Sequence, residues 1–180
     1  MSHTIEYRYR KKLISLPELL KVVQKLKSVD KKVVFTNGCF DILHKGHIHY
    51  LRKSRMMGDV LIVGLNSDSS VRRLKGAGRP INSEQDRACL LEALDFVDYI
   101  VIFHDDTPIS LIQQMKPDFY TKSGDYDVRN IIGPGLGSDI IEAYGGRAII
   151  MEYVKGYSTT SLIKNYQVGK EIICNESGRN

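Results

Sequence analysis

Between Phe35 and His47 the chain reads FTNGCFDILHKGH, which gathers Cys39, Asp41, His44 and His47 into nine residues. Three chemistries use such groups. Zinc takes thiolate, imidazole and carboxylate ligands in a tetrahedral set. His44 and His47 can share a helical face with Cys39 on the turn before them, but no second cysteine or histidine cluster follows to complete the set. A thiol nucleophile needs a base and an orienting group. Asp41 could orient a histidine, yet Cys39 directly follows a strand-like run and reads as a small packed residue. The third chemistry is phosphate binding. An apolar run ends at Asn37, Gly38 lets the chain turn, and a helical pattern opens near Gly46. A helix start exposes unpaired N–H groups and the positive end of its dipole, so anions bind there. Gly46 lets a phosphate approach the backbone, and two imidazoles can donate to phosphoryl oxygens as charge develops.

The elements that must position these residues are legible from pattern and caps. SLPELLKVVQKLKS opens with Ser15 and has Glu18 three residues on, a capping-box signature, and its leucines and valines recur at helical spacing. KKVVFTN, DVLIVGLN, VDYIVIF, DFYTK and RAIIMEY read as buried strands. Between them fall a helix from about Gly46 to Met57, a short helix in SDSSVRRLK, a helix capped by Ser83, and a helix with Thr107 as cap and Pro108 in its first turn. SDIIEAY, closed by Gly145 and Gly146, and STTSLIKNYQV complete the helices. KGAGRPIN is a loop, and GPGLG reads as a flexible lid.

Strands alternating with helices predict a single α/β domain: a Rossmann-like, doubly wound, parallel five-stranded sheet with helices on both faces. Ligands bind such sheets at the carboxyl ends of the strands. The loops after Phe35, Leu65, Phe103, Lys122 and Tyr153 are therefore expected around one crevice. The expected organisation is a helical N-terminal extension over 1–31, the main domain over 32–168 and a polar tail over 169–180.

The chain has 180 residues, 42% of them hydrophobic and 26% charged, with a net charge of +5. A single globular domain fits that length, and the basic balance suits an anionic ligand. No apolar run is long enough to span a membrane, and MSHTIEYRYRKK has no secretory h-region. Cys39, Cys89 and Cys174 are far apart and form no CxxC pair. A disulfide framework is thus not expected, and a reducing, cytoplasmic setting is.

HKGH, His44 to His47, fits the HxGH signature of the nucleotidyltransferase superfamily, and TNGCFDILHKGH resembles its adenylyltransferase form that makes ADP-heptose. Further runs resemble the same family in the same order: LIVGLNSDSSVRRLKGAGRPIN, EQDRACLLEALDFVD, DTPISLIQQMKPD, TKSGDY and YGGRAIIMEYVKGYSTTSLI. The resemblance covers about residues 12 to 167.

What the resemblance implies is a condensation of ATP with a sugar 1-phosphate, with Mg²⁺ accompanying the triphosphate and no protein side chain assigned to the metal. His44 and His47 would hold the phosphates and stabilise the transferring phosphoryl group, with Lys75 beside them. Asp41 would position its loop or meet the metal-bound substrate. Thr36, Asn37, Gly38, Phe40 and Gly46 would form the nucleotide-binding turn, and Arg87 would face the nucleotide. Lys122, Gly124 and Asp125 would line the nucleotide or sugar site, and Ser158, Thr159 and Thr160 would bind the outer phosphates. Asn66, Asp68 and Arg79 would form the sugar phosphate side. The expected partners are these two substrates, with neither nucleic acid nor membrane, and a homo-oligomer, most simply a dimer.

Some residues depart from the family. Ser123 stands where the heptose type commonly has glycine. Asp95 stands where glycerol-phosphate and choline-phosphate cytidylyltransferases carry arginine, which argues against those substrates. A cytidylyltransferase for a glycerol-phosphate-like or phosphonate substrate and a non-catalytic nucleotide-binding regulator are the competing readings.

Overall fold

In the computed structural model, which describes residues 11–124 and 127–152, the first helix starts where its capping box places it. Ser15 accepts the Glu18 backbone N–H, and the Glu18 carboxylate accepts that of Ser15. This helix, α1 (Leu16–Ser28), leads into β1 (Val33–Gly38), α2 (Lys45–Arg55) and β2 (Val60–Asn66). Two helices follow, α3 (Asp68–Lys75) and α4 (Glu84–Glu92), and then β3 (Tyr99–Phe103). The chain continues through α5 (Ile109–Met115), β4 (Phe119–Ser123), a 3₁₀ turn (Val128–Asn130), α6 (Asp139–Glu142) and β5 (Arg147–Met151).

The strands form one parallel sheet in the order β3-β2-β1-β4-β5. Successive strand residues point to opposite faces, and here both faces are covered. Val33 and Phe35 pack with Leu19 and Val23 of α1, Leu111 and Ile112 of α5 and Ile141 of α6. Val34 packs with Leu51 of α2 and Leu91 of α4 on the other side. Burial on both faces explains why the strands are continuous apolar runs rather than alternating ones. Leu19 and Val23 are buried, which stabilises by roughly 1.5–3 kcal/mol each. The residues ahead of α1 run along the sheet edge: Ile14 N–H donates to Ile100 O, and Ile100 N–H to Lys12 O.

Two local readings are corrected. The N-cap of α5 is Pro108, with no side-chain cap bond. Thr107 does not cap, and its methyl lies close to Gly133. Nor is GPGLG a lid. Ile132 N–H donates to Leu136 O, Leu136 N–H to Gly133 O and Gly135 N–H to Asn130 Oδ1, while Ile131 and Ile132 anchor the turn in the core. No helix among the described residues is long and apolar enough to cross a membrane. The expected helix over STTSLIKNYQV and the tail over 169–180 lie outside the described residues, as does Cys174.

The order of the strands reverses between β1 and β4, so the loops leaving their carboxyl ends diverge and open a crevice there.

Candidate active site

A cavity of about 1190 Å³ occupies this crevice, and the stretch from Asn37 to His47 forms its floor. The turn out of β1 is tight. Phe40 sits in the left-handed region at φ 45°, and its ring packs beneath Gly38, where a Cβ would meet it at 3.0 Å. The same ring lies 5.2 Å from that of His47. Phe40 thus acts as a wedge that turns the chain.

His44 is the N-cap of α2: its Nδ1 accepts the backbone N–H of His47 at 3.3 Å. The two imidazoles stack with centroids 3.8 Å apart. Burial pushes the His44 pKa down. Burial, then the neighbouring His44, pushes His47 down to about 4, against a backbone contact from Ile42. Both rings are therefore neutral at pH 7. In neutral His44 the cap bond reserves Nδ1 as an acceptor, which leaves the proton on Nε2 as a donor. Nδ1 of His47 is buried without a hydrogen-bond partner of good geometry among the described residues. Gly46 and both histidines line the cavity.

Positive charge comes from other elements. Lys75 at the end of α3, Arg79 in the following loop and Lys122 on β4 line the same cavity. Lys122 is nearly buried, and its Nζ donates to Asn37 O at 3.1 Å. Burial lowers its pKa to about 8, with Lys75 adding to the fall and Cys39 opposing it. Burial raises the Cys39 thiol, although Lys75, Arg87, Lys122 and Arg79 all pull it down. A raised thiol is a poor nucleophile, so Cys39 is a lining residue and not an activated one.

Asp41 pins a loop. It is 1% exposed, and its Oδ1 accepts the backbone N–H groups of Ile81 and Asn82 while Oδ2 accepts Arg79 Nε. Of the two roles open to Asp41, the geometry carries loop positioning, because both carboxylate oxygens are already engaged. Arg79 is thereby held at the cavity wall, and its two terminal nitrogens make no hydrogen bond among the described residues. Asn66 also lines the cavity, braced through Nδ2 on Ser70.

Other expected site residues lie elsewhere. Arg87 does not face the cavity. It is fully buried and donates to the carbonyls of Asn82, Cys39 and Asn66 and to Asp68 Oδ1. Asp68 is turned to Arg87 rather than to a sugar pocket. Thr36 is fully buried against Tyr50 and Thr121, so it cannot touch a nucleotide. Gly124, at φ 129°, makes the turn after β4 but is not among the lining residues. Asp125, Ser158, Thr159 and Thr160 lie outside the described residues.

The sequence reading missed a wall. Asp106, Thr107 and Pro108 line the cavity beside Asn130, Gly133 and Gly135. Both segments had a signal, the DTP and GPGLG runs, but each was read as a cap or a lid. Tyr50 was also missed, though its spacing from His47 puts it on the same helical face.

The profile of the cytidylyltransferase-like family matches residues 35–168. The chain belongs to that family. It is 48% identical over 158 residues to the bifunctional protein HldE of Geotalea uraniireducens, covering 88% of this chain and 31% of that protein. It is 51% identical over 163 residues to the bifunctional protein HldE of Campylobacter concisus, covering 90% of this chain and 32% of the relative. The chain thus spans about a third of the length of these curated relatives. Among solved structures, the lipopolysaccharide core biosynthesis protein from Thermoplasma volcanium superposes with a TM-score of 0.56 at 31% identity, over 71% of this chain and 99% of that one. Fold, HxGH-bearing site and family agree on a nucleotidyltransferase.

Proposed function

We propose that this cytidylyltransferase-like chain condenses ATP with a sugar 1-phosphate, D-glycero-D-manno-heptose 1-phosphate, to give ADP-heptose and pyrophosphate for a bacterial surface glycan. The observation that carries the reading is the joint placement of two imidazoles at the α2 N-terminus and three basic side chains, Lys75, Arg79 and Lys122, around one cavity. The heptose assignment is supported by the co-linear runs that resemble the ADP-heptose-forming type, and by about half identity to HldE proteins over most of this chain.

In this reaction a phosphate oxygen of the sugar 1-phosphate attacks the α-phosphorus of ATP in line. The new P–O bond forms as the bond to the β-phosphate bridging oxygen breaks, and pyrophosphate leaves with the electron pair. A phosphate monoester with a second pKa of about 6 is already ionised at neutral pH, so no base is needed. What remains is alignment and charge stabilisation. Neutral His44 and His47 donate to the α-phosphoryl oxygens without adding a titrating charge. The three cations offset the phosphates, and Asp41 holds the Arg79 loop in place.

Mg²⁺ would enter with the triphosphate and screen its charge. Among the described residues no group of three or more His, Cys, Asp or Glu side chains could hold a metal ion. Mg²⁺ needs no such cluster, since it is commonly held by one or two carboxylates together with substrate phosphates.

The deciding experiment incubates the protein with heptose 1-phosphate and each nucleoside triphosphate, reading pyrophosphate and product mass. ADP-heptose from ATP is expected. Turnover with CTP alone, or with glycerol phosphate in place of the sugar phosphate, overturns the substrate assignment.

A further inference from the structure

Beneath the cavity floor, α2 is fastened to the sheet by hydroxyl groups rather than by apolar packing alone. Tyr50 and Ser54 lie one helical turn apart on the inner face of α2, and both are buried. The Tyr50 hydroxyl donates to Thr121 O at 2.7 Å and is hydrogen-bonded to Thr36 Oγ1. Ser54 Oγ bonds Thr121 Oγ1 at 2.9 Å. Thr36 and Thr121 face each other across the β1–β4 pair, the seam at which the strand order reverses.

The next residue on each strand reaches the cavity: Asn37 on β1 and Lys122 on β4, joined by the Lys122 Nζ bond to Asn37 O. At the other end of the connection, α2 carries His44 and His47. Tyr50 therefore bridges the element that holds the neutral donors and the seam that holds the buried cation.

Stability does not require this arrangement. Replacing both partners of a buried hydrogen bond by apolar groups of the same shape is nearly neutral. What hydroxyls add is direction, for they set the rotation and axial position of a helix where an apolar seam would let it slide. We infer that Tyr50 is a positioning residue, holding the α2 N-terminus in register with the β1–β4 seam so that the imidazole donors and Lys122 meet the same phosphoryl group. The inference rests on the nucleotidyl-transfer reading of the site. Its magnitude follows from alignment, since a misplacement of about 1 Å costs on the order of 10²-fold in rate.

The test is Tyr50→Phe in the full chain, with kcat and KM for ATP and sugar 1-phosphate measured by pyrophosphate release and folding followed by thermal melting. Thr36 Oγ1 still reaches Thr121 O at 3.0 Å, so that carbonyl keeps a partner and the fold survives. The expected result is a fall in kcat of roughly 10- to 100-fold with both KM values within about twofold of the parent. A fall in kcat of less than about fivefold overturns the inference whatever the melting temperature does, and so does a loss that lies wholly in KM. Should Tyr50→Phe fail to fold, Thr36→Val removes the Tyr50–Thr36 bond while Tyr50 keeps its bond to Thr121 O; a smaller fall in kcat with KM unchanged is then expected, and an unchanged kcat overturns the inference. A parent protein that turns over no nucleoside triphosphate counts against the proposed function instead. In that event the ring resonances of His44 and His47 decide: shifted in Tyr50→Phe they support the register, and unmoved they overturn it.

Discussion

His44 caps the helix on which His47 rides, its Nδ1 accepting the His47 backbone N–H at 3.3 Å. One imidazole therefore has two tasks. It stabilises the start of α2 with one nitrogen and offers the other to the cavity. This separates the structural and chemical shares of a motif whose two histidines look equivalent in the sequence.

Substitution at His44 should split the two tasks. His44→Ala loses both, and the missing cap costs about 1 kcal/mol of stability. His44→Asn restores a capping acceptor, so its urea midpoint should return close to that of the parent. Both variants, and His47→Ala, should lose at least about 10²-fold in rate, the scale of a lost transition-state donor. Near-normal pyrophosphate release by His44→Asn would remove His44 from the chemistry and leave it a cap.

Stability should fall on mild acidification because of His47. Its native pKa, about 4, lies below the ordinary 6.5. Between those values the unfolded chain binds more protons than the native one, so stability rises with pH. The contribution is complete above the unfolded value and is lost as pH falls toward 4. At about 1.4 kcal/mol per unit, the loss between pH 7 and pH 5 is on the order of 2 kcal/mol. Urea midpoints at the two pH values check it: the parent should drop, and His47→Gln should drop by distinctly less. Equal drops in the two proteins would show that His47 is not buried in its neutral form.

Arg87 should behave as a structural tie and not as a nucleotide contact. Its guanidinium joins three backbone carbonyls and Asp68 from a fully buried position. Removing one side of such a pairing leaves buried polar groups unpartnered, at a cost of about 3–5 kcal/mol. Arg87→Met should therefore be strongly destabilised in urea, and Arg87→Lys should recover little, because an ammonium cannot supply the planar fork. An Arg87→Met protein with the parent's stability but a tenfold weaker KM for ATP would restore the nucleotide-facing role.

The contrast between Arg87 and His44 shows what the sequence can and cannot display. The strand runs, the Ser15 and Ser83 caps and the glycine stops are local signals, and they placed the sheet, most helices and the histidine turn correctly. Whether a charged side chain on a short helix points to solvent, to a ligand or into the interior depends on tertiary contacts. Arg87 meets carbonyls as far away as Cys39, 48 residues back along the chain, and no periodicity in EQDR encodes that. Thr36 was misplaced for a related reason: strand alternation says that it faces α2 but not that Tyr50 already fills the space. The second wall was missed because DTP and GPGLG are loop signals, and loops join only when the sheet brings their ends together.

At that wall, Gly133 and Thr107 touch so closely that a Cβ on Gly133 would stand 2.6 Å from Thr107 Cγ2. The Thr107 methyl sits on a short side chain with no far end to swing away. Gly133→Ala should thus cost about 1–3 kcal/mol by overpacking, and because the two loops line the cavity it should also raise KM for at least one substrate. Thr107→Ser removes the offending methyl while keeping the hydroxyl. The double variant Thr107→Ser/Gly133→Ala should recover most of the lost stability and of the KM. Gly135 provides the control. A Cβ there meets nothing within 4 Å, but the backbone is left-handed at φ 71°. Gly135→Ala should cost about 1 kcal/mol through backbone strain, and Thr107→Ser should not relieve it. Urea denaturation of the three single and two double variants measures the coupling directly. If Thr107→Ser rescues Gly135→Ala as well as it rescues Gly133→Ala, the contact between the loops is not the source of the effect.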